Sequence, residues 1–465
     1  MGRMDLIIRQ GDLVLPGGKV QRGDVGIRDG VIAAIAPQLS ESARREIDAT
    51  GQLVFPGFID PHTHMGIPIL DTFSIDDFES GSRAAAAGGV TTILDFTVQR
   101  PGQSLEEALD ERLALARGRC HVDFNIHVNI TDRPERWLSQ IEALCRRGFT
   151  SFKVFSTYRQ AGMMIRWPQF RQVLAAIRDA GGLLMLHAED NDLIERDTEA
   201  HLKAGRLDPI YHARSRTPEA EARAIQRAAE IAGELEAELY IVHLSSAAGL
   251  EAGLRARRQG VRIYLETCPQ YLLLDESRYL QANGHWYITT PPLRSPADRE
   301  ALWAALARGD IDTVGTDHCP FTRAQKEAGG RQFHRTPNGL PGVEWLFPLL
   351  YTYGVAEGKL SLQRLVSVLA ENSAGLFGLD HRKGRLAPGM DADLVIWDPS
   401  ARGHIDGARQ HGRADWSPYQ DFPLAGRVRW TLVRGHTLVA DGHFVGQEVH
   451  GSLIPARSRT QTASG

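Results

Sequence analysis

Eight short apolar segments, separated by helical or polar stretches, constrain the fold of this chain more than any other feature. In chain order they are LVFPGFID, TTILDFT, HVDFNIHVNI, TSFKVFST, LLMLHAED, ELYIVHLSS, RIYLETCPQ and DTVGTDH. Most lack the alternation of a half-exposed strand, which is typical of parallel strands buried on both faces. Eight strand–helix units predict an α/β fold built on a (β/α)8 TIM-type barrel. A doubly wound sheet is the alternative that the pattern alone leaves open.

Helix signals lie between the strand segments. Ser104 and Glu107 form a capping box at the start of SLEEALDERLALAR, where leucines recur at helical spacing. Thr217 is followed by Pro218, which predicts a capped helix start with proline at its first position.

Both ends of the chain instead have sequence patterns typical of small antiparallel β-structure. MDLIIRQGDLVL and DVGIRDGVIAAI stand near the start, and DADLVIWDP and VRWTLVRGHTLVADGHFVG stand near the end. This shared strand pattern predicts one β-domain built from both termini. The predicted division is a small β-sandwich domain from residues 1–54 plus 380–445, the barrel from 55–379, and a C-terminal tail from 446–465 that is mobile or packs on a neighbouring subunit.

Composition excludes several classes of partner. The net charge of −4 and the pI of about 6.5 provide no basic footprint for nucleic acid. No stretch approaches the roughly 18 apolar residues of a membrane span, and the N-terminus lacks the apolar core of a signal peptide. Four scattered cysteines without a CxxC pair indicate a reduced, cytoplasmic setting. We therefore expect a small-molecule partner, with no nucleic acid and no membrane.

The positions of histidines and one carboxylate carry the chemical information. Barrel enzymes place their reactive groups at the carboxyl ends of several strands, and ligand-type residues fall at those ends here. Histidine and carboxylate ligands together suit zinc or a similar divalent ion. The candidates are His62 and His64 after the first strand, His187 after the fifth, His243 after the sixth and Asp317 after the eighth.

Each of these residues has a simpler interpretation when taken alone. A single histidine near a strand end is usually a hydrogen-bonded structural residue, and Asp317 could cap a helix. We assign His127 and His318 to that structural class. Only the joint pattern, five ligand-type residues at four strand ends, favours a metal site.

Lys153 lies inside the apolar run FKVF, where a lysine would be buried at high energetic cost. The simple interpretation is a lysine whose stem is buried and whose amine reaches water or a carboxylate. The chemical alternative is that the amine adds carbon dioxide. The resulting carbamate is an anion with two oxygens that can bridge two metal ions.

Taken together, the motifs resemble those of the cyclic amidohydrolases, most closely the hydantoinase/dihydropyrimidinase branch. The resemblance runs from about residue 4 to residue 450 and includes KGRLAPGMDADLVIWDP. The motifs that carry it are IDPHTH, GGVTTILDF, FKVFSTY, HAED, VHLSS, ITTPPLR, GTDHCPF and TPNGLPGVE.

The resemblance implies two divalent metal ions, zinc with manganese or cobalt as alternatives, and a hydroxide between them. It places His62, His64 and Asp317 on one metal and His187 and His243 on the other. Lys153, carbamylated by carbon dioxide or bicarbonate to N6-carboxylysine, bridges them. Metal binding lowers the pKa of water to about 7, and Asp317 acts as the general base.

The resemblance also assigns the substrate contacts. Tyr158 matches the tyrosine that stabilises the tetrahedral oxyanion, although alone it would be a packed aromatic residue. The backbones at Thr290 and Asn338 match those that bind the ring, with Thr290 replacing the usual serine. Hydantoin or dihydropyrimidine rings would open to N-carbamoyl amino acids. A homotetramer, or a dimer, is also implied.

Two segments depart from the branch, namely Met65–Leu70 and the loop from Ser156 to Met164. Because these loops shape the substituent pocket in relatives, the sequence leaves the substituent open. An allantoinase or another ring amidase is the alternative function. A dihydroorotase should carry an arginine near HTH, and Met65–Leu70 has none. A non-catalytic scaffold relative is disfavoured because all six ligand positions are present.

Overall fold

The computed structural model of the protein describes residues 3–458. Two sheets dominate it, together with a small two-stranded hairpin. The strands are β1 (Met4–Val14), β2 (Val20–Arg28), β3 (Val31–Ala36), β4 (Ala43–Asp48), β5 (Leu53–Pro56), β6 (Phe58–Thr63), β7 (Pro68–Ile69), β8 (Thr72–Phe73), β9 (Val90–Phe96), β10 (Asp123–Asn129), β11 (Ser151–Phe155), β12 (Leu183–His187), β13 (Leu239–Ile241), β14 (Ile263–Thr267), β15 (Thr313–Val314), β16 (Leu394–His404), β17 (Pro423–Val433), β18 (His436–Ala440) and β19 (His443–Phe444).

Helices fill most of the connections between the barrel strands, and they include both helices that the sequence predicts. Ser104 and Glu107 form the capping box of α2, and Thr217 caps α7 with Pro218 at its first position. The helices are α1 (Phe78–Ala87), α2 (Leu105–Ala116), α3 (Leu138–Arg146), α4 (Trp167–Asp179), α5 (Asn191–Lys203), α6 (Ile210–Ser215), α7 (Pro218–Glu234), α8 (Ala247–Arg258), α9 (Pro269–Leu273), α10 (Pro296–Arg308), α11 (Arg323–Glu327), α12 (Leu346–Leu350), α13 (Leu362–Val366) and α14 (Asn372–Leu376).

The eight central strands form a parallel sheet in the order β6-β9-β10-β11-β12-β13-β14-β15. Its two outer strands meet beyond β15, where Thr63 forms a parallel bridge with His318 and His64 N–H donates to the His318 carbonyl at 2.8 Å. The sheet is therefore a nearly closed barrel, and the doubly wound alternative is wrong. Every residue of β6, β9, β10, β11 and β12 is buried, as the unbroken apolar runs predict.

Strands from both termini form a separate nine-stranded sheet, in the order β19-β18-β17-β16-β5-β1-β2-β3 with β4 on β1. Leu6, Ile27, Val54, Ile396 and Leu432 belong to one apolar core that both chain ends share. The predicted β-domain from two termini is thus present as one hydrogen-bonded sheet, but it is not wholly antiparallel as predicted, because β1 pairs in parallel with β4 and β5.

The first predicted strand segment, LVFPGFID, divides between the two sheets. Leu53–Pro56 pairs with β16 of the terminal sheet, and the barrel begins at Phe58. Gly57 separates the two strands at a close backbone approach, because a Cβ there would lie 2.1 Å from Thr91 Oγ1. The predicted boundary after residue 54 therefore falls inside β5.

The C-terminal segment packs on the barrel of its own chain. Leu453 bridges Phe124 in β10, and Ile454 is fully buried. Ala456 N–H donates to the Gly148 carbonyl at 3.0 Å. This part of the predicted tail thus lies against the barrel strands, and residues 459–465 lie outside the described part. Within residues 3–458, no helix is both long and apolar enough to cross a membrane.

Candidate active site

The candidate ligands converge at the carboxyl-terminal mouth of the barrel. They come from five different strands, so the barrel itself brings together residues that are distant in sequence. The positions are His62 within β6, His64 directly after β6, Lys153 within β11, His187 at the end of β12, His243 after β13 and Asp317 after β15.

His62, His64 and Asp317 form the tightest group of ligand atoms at this mouth. One ligand atom from each lies within 4.8 Å of the others. Asp317 Oδ1 lies 3.2 Å from His62 Nε2 and 3.1 Å from His64 Nε2. Burial would raise the pKa of the Asp317 carboxyl, but the neighbouring histidines and Lys153 outweigh burial and lower it to about 2. Two imidazoles and an ionised carboxylate therefore face one point, which is a donor set suited to a divalent metal.

Lys153 is buried beside this group. Its Nζ lies 3.0 Å from His62 Nε2 and 4.3 Å from the centre of the Phe96 ring. Burial lowers the pKa of the Lys153 amine to about 8, in spite of the opposing carboxylates of Asp317 and Glu266. A larger neutral fraction than that of an ordinary lysine is therefore present near neutral pH, and the neutral amine is the form that can react with carbon dioxide.

His187 and His243 lie next to this group. Their ring centres lie 4.5 Å apart, and His243 lies 5.4 Å from the His62 ring. Burial lowers the pKa of both imidazoles below the ordinary value, so both are neutral, as metal binding requires. The buried Nδ1 atoms of His243 and His64 have no hydrogen-bond partner within residues 3–458.

Two buried glutamates that orient these histidines were not predicted from the sequence. Glu266, in β14, accepts from His62 Nδ1 at 2.7 Å and from the His243 backbone N–H at 2.8 Å. Glu189 lies 2.7 Å from His187 Nε2, which leaves the other ring nitrogen of His187 for a ligand. Carboxylates behind metal-binding histidines fix the ring orientation and tautomer. The only sequence signals for these glutamates were an acidic residue within an apolar strand, in ETC, and the acidic pair that follows the histidine in HAED.

Replacing Glu266 with glutamine is expected to weaken metal binding by about 10–100-fold. The amide keeps the size of the side chain but removes the charge that holds His62 Nδ1–H. Competition with a chelator of known affinity would measure the change. Glu251→Gln, on the exposed face of α8, is the control, and equal affinity in the two variants would show that Glu266 does not support the site.

A cavity of about 590 Å³ opens in front of the ligand group. Eight of the nine residues predicted for the site line it, and His62 lies beneath them, fully buried. Tyr158 is on its wall, in a hydrogen bond with Thr290. Asn338 lines it from another segment. The structure thus brings the predicted ligands, Tyr158 and the two predicted ring-binding segments around one space.

Four residues that line this cavity have left-handed backbone conformations although none is glycine. The φ angles are 52° at Leu70, 66° at Tyr158, 40° at His243 and 53° at Asp317. Such conformations cost of order 1–3 kcal/mol and cluster at functional sites. Their coincidence with three predicted site residues supports a functional interpretation of the cavity.

The two histidines assigned to a structural class have both ring nitrogens engaged. His127 contacts Ser151 Oγ at 2.5 Å and the Pro61 carbonyl at 3.0 Å. His318 contacts Asp76 Oδ2 at 3.1 Å, and its Nδ1 accepts from Gly342 N–H at 3.0 Å. Neither imidazole has a free nitrogen for a metal.

Comparison with known proteins agrees with this geometry. Residues 53–438 match the model of the amidohydrolase family. A D-hydantoinase of Geobacillus stearothermophilus is 39% identical over 97% of this chain and 96% of its own length. A D-hydantoinase of Ralstonia pickettii is 38% identical over 98% of this chain and 100% of its own length.

Solved structures show the same fold over almost the whole chain. The dihydropyrimidinase of Brevibacillus agri has a TM-score of 0.95 at 36% identity, covering 98% of this chain and 99% of its own. The L-hydantoinase of Arthrobacter aurescens has a TM-score of 0.90 at 30% identity, covering 97% and 100%. The chain therefore belongs to the amidohydrolase family, in its hydantoinase and dihydropyrimidinase group.

Proposed function

We propose that this chain hydrolyses a cyclic amide or imide bond, opening hydantoin or dihydropyrimidine rings to N-carbamoyl amino acids. The observation that carries the proposal is the convergence of six ligand-type side chains beside a cavity that also holds Tyr158. The named relatives are hydantoinases and a dihydropyrimidinase, and they favour this function over the allantoinase alternative.

The donor set fits two divalent metal ions. His62, His64 and Asp317 would hold one, His187 and His243 the other, and a carbamate on Lys153 would bridge them. The fit rests on the buried imidazoles of His62, His187 and His243, whose pKa values burial lowers, on the unpartnered Nδ1 of His243, and on the buried amine of Lys153 beside them. When bound, such metals supply Lewis acidity and lower the pKa of water. We propose zinc, as the nitrogen and carboxylate ligands suggest.

Asp317 is proposed to move the proton of the reaction. Its ionised carboxylate lies between His62 and His64 at the cavity floor. It can accept a proton from the attacking water at a carboxylate oxygen and return it to the leaving ring nitrogen. The low pKa of the carboxyl keeps it in the accepting form at neutral pH.

Tyr158 is proposed to stabilise the oxyanion. Burial raises the pKa of its phenol above the ordinary value, so the hydroxyl stays protonated and can donate a hydrogen bond. The Arg216 guanidinium lies 5.1 Å from the centre of the Tyr158 ring, and its Nη1 lies 2.5 Å from Glu189 Oε2. A fixed donor aimed at developing negative charge is an effective form of catalysis.

The two segments that depart from the branch form an apolar side of the cavity. Ile67, Ile69 and Leu70 contribute from the first segment, and Ala161 and Met163 from the second. We propose that this side receives the exocyclic substituent and favours apolar groups.

A homotetramer and a cytoplasmic location remain predictions. The four cysteines, on which the predicted location rests, are free and buried.

The test is loss of ring absorbance from dihydrouracil, hydantoin and 5-substituted hydantoins, with zinc- or manganese-loaded protein and bicarbonate. Turnover is expected, with apolar substituents preferred over carboxylate-bearing ones. Absence of turnover on the whole panel by protein carrying both metals would contradict the proposal.

A further inference from the structure

A second buried lysine, Lys326, lies behind the cavity wall and has no role in the chemistry described above. It belongs to α11 and is 0% exposed. Its Nζ donates to the Ile288 carbonyl at 2.8 Å and to the Pro337 carbonyl at 2.7 Å. Burial lowers the pKa of this amine to about 7. Within residues 3–458 it forms no ion pair; its hydrogen bonds go to these two backbone carbonyls, and the centre of the Phe321 ring lies 5.4 Å from Nζ.

The two carbonyls belong to two different segments of the cavity wall. Ile288 directly precedes Thr289 and Thr290, and Pro337 directly precedes Asn338. All three of those following residues line the cavity. The amine of Lys326 therefore joins two segments that lie about 50 positions apart in the chain. These segments are not paired with each other as strands of a sheet.

Other contacts fix the outer sides of these segments. His212 Nε2 lies 2.8 Å from the Thr289 carbonyl and 3.3 Å from Thr290 Oγ1. Gly339 has a φ of 143°, and a Cβ there would lie 2.3 Å from the Cys319 carbonyl oxygen. Gly339 N–H also donates to the Ile288 carbonyl at 3.1 Å. Within residues 3–458, the hydrogen bonds that join the two segments are thus this backbone bond and the pair from Lys326.

Because burying an amine is energetically costly, we infer that the hydrogen bonds of Lys326 have a structural role. An apolar side chain of similar length would fill the same volume without desolvating a charge. It would, however, leave the Pro337 carbonyl without this donor and remove one of two donors from Ile288. Lys326 therefore contributes geometry rather than packing.

We propose that Lys326 is a positioning residue that fixes the distance between the Thr289–Thr290 segment and the Asn338–Gly339 segment, and thereby the fit of the ring substrate. This inference rests on the proposed function. It makes Lys326 a determinant of substrate binding that acts through the backbone, without touching the ligand group.

Lys326→Met in the metal-loaded full chain tests the proposal. The KM for the best substrate of the wild-type protein is expected to rise about 10-fold, because misplaced binding groups weaken the substrate complex. The kcat should change by less than about 3-fold, and metal content should equal that of the wild type. Lys359→Met removes an exposed lysine that pairs with Glu357 at 3.0 Å, and its KM should not change.

A merely structural role would lower the melting temperature and leave the KM of the folded enzyme unchanged, and that result would overturn the proposal. Lys326→Gln keeps one donor group and is expected to raise KM by a smaller factor, about 3-fold. If Lys326→Met does not fold, Lys326→Gln decides, and failure of both to fold would also overturn the proposal. Inactive wild-type protein would instead contradict the proposed function.

Discussion

Lys153→Ala is expected to lose activity by at least about 10³-fold, because it removes the proposed bridging anion and with it several kcal/mol of metal-derived stabilisation. The wild-type side chain is buried 3.0 Å from His62 Nε2, so alanine leaves a space beside the ligands rather than a new contact. Metal analysis should find fewer ions per chain than in the wild type. Ring-opening rates, measured at saturating substrate, give the size of the loss.

Two controls sharpen this experiment. Lys19→Ala changes an exposed lysine in the connection between β1 and β2 and should leave rate and metal content unchanged. A short carboxylate such as acetate or propionate, added to Lys153→Ala, should restore part of both, since it can occupy the vacated space as an anion. Wild-type activity in Lys153→Ala would show that no carbamate at this position is needed.

Lys383→Met is expected to lower the free energy of unfolding by ~3–5 kcal/mol, the usual result of removing one partner from a buried ionic group. The Lys383 amine lies 2.5 Å from Asp123 Oδ2, 2.8 Å from Asp391 Oδ2 and 2.6 Å from Asp393 Oδ2. Burial would lower the pKa of Lys383, but these carboxylates outweigh burial and raise it. The same three aspartates could suggest a metal site, but the lysine occupies their centre.

This ionic group joins the two sheets. Asp123 begins barrel strand β10, whereas Asp391 and Asp393 lead into β16 of the terminal sheet. Arg434 also pairs with Asp123. Methionine at position 383 would therefore leave buried carboxylates with too little positive charge at the contact between the sheets.

Urea unfolding monitored by tryptophan fluorescence measures this effect. Lys203→Met, which removes an exposed i,i+4 pair with Glu199, is the control and should change stability by less than ~1 kcal/mol. If Lys383→Met unfolds at the same urea concentration as this control, the group contributes no net stability.

The sequence was sufficient for the barrel and for the positions of its candidate ligands, because both follow from local patterns. Unbroken apolar runs mark the strands, and the carboxyl ends of barrel strands converge whatever lies between them. His62 and His243 could be placed together in this way although 181 positions separate them (243 − 62).

Residues that act through long-range contacts could not be predicted. Glu266 meets His62 across 204 positions, and a single glutamate in a strand carries no pattern. Lys326 lies in TRAQKEAGG, a polar stretch typical of an exposed helix, yet tertiary packing buries it completely. The burial of Ile454 could not be predicted for the same reason, because this residue packs with side chains far away in the chain, such as Ile59 and Leu94.

We propose that this chain opens a ring by adding water to its amide carbon. The most direct measurement is mass spectrometry of the product formed from hydantoin in oxygen-labelled water by zinc-loaded protein. We expect N-carbamoylglycine, heavier than hydantoin by one water and carrying one labelled oxygen in its new carboxylate. Recovery of unchanged hydantoin from protein that holds both metals, or a product without the label, would contradict it.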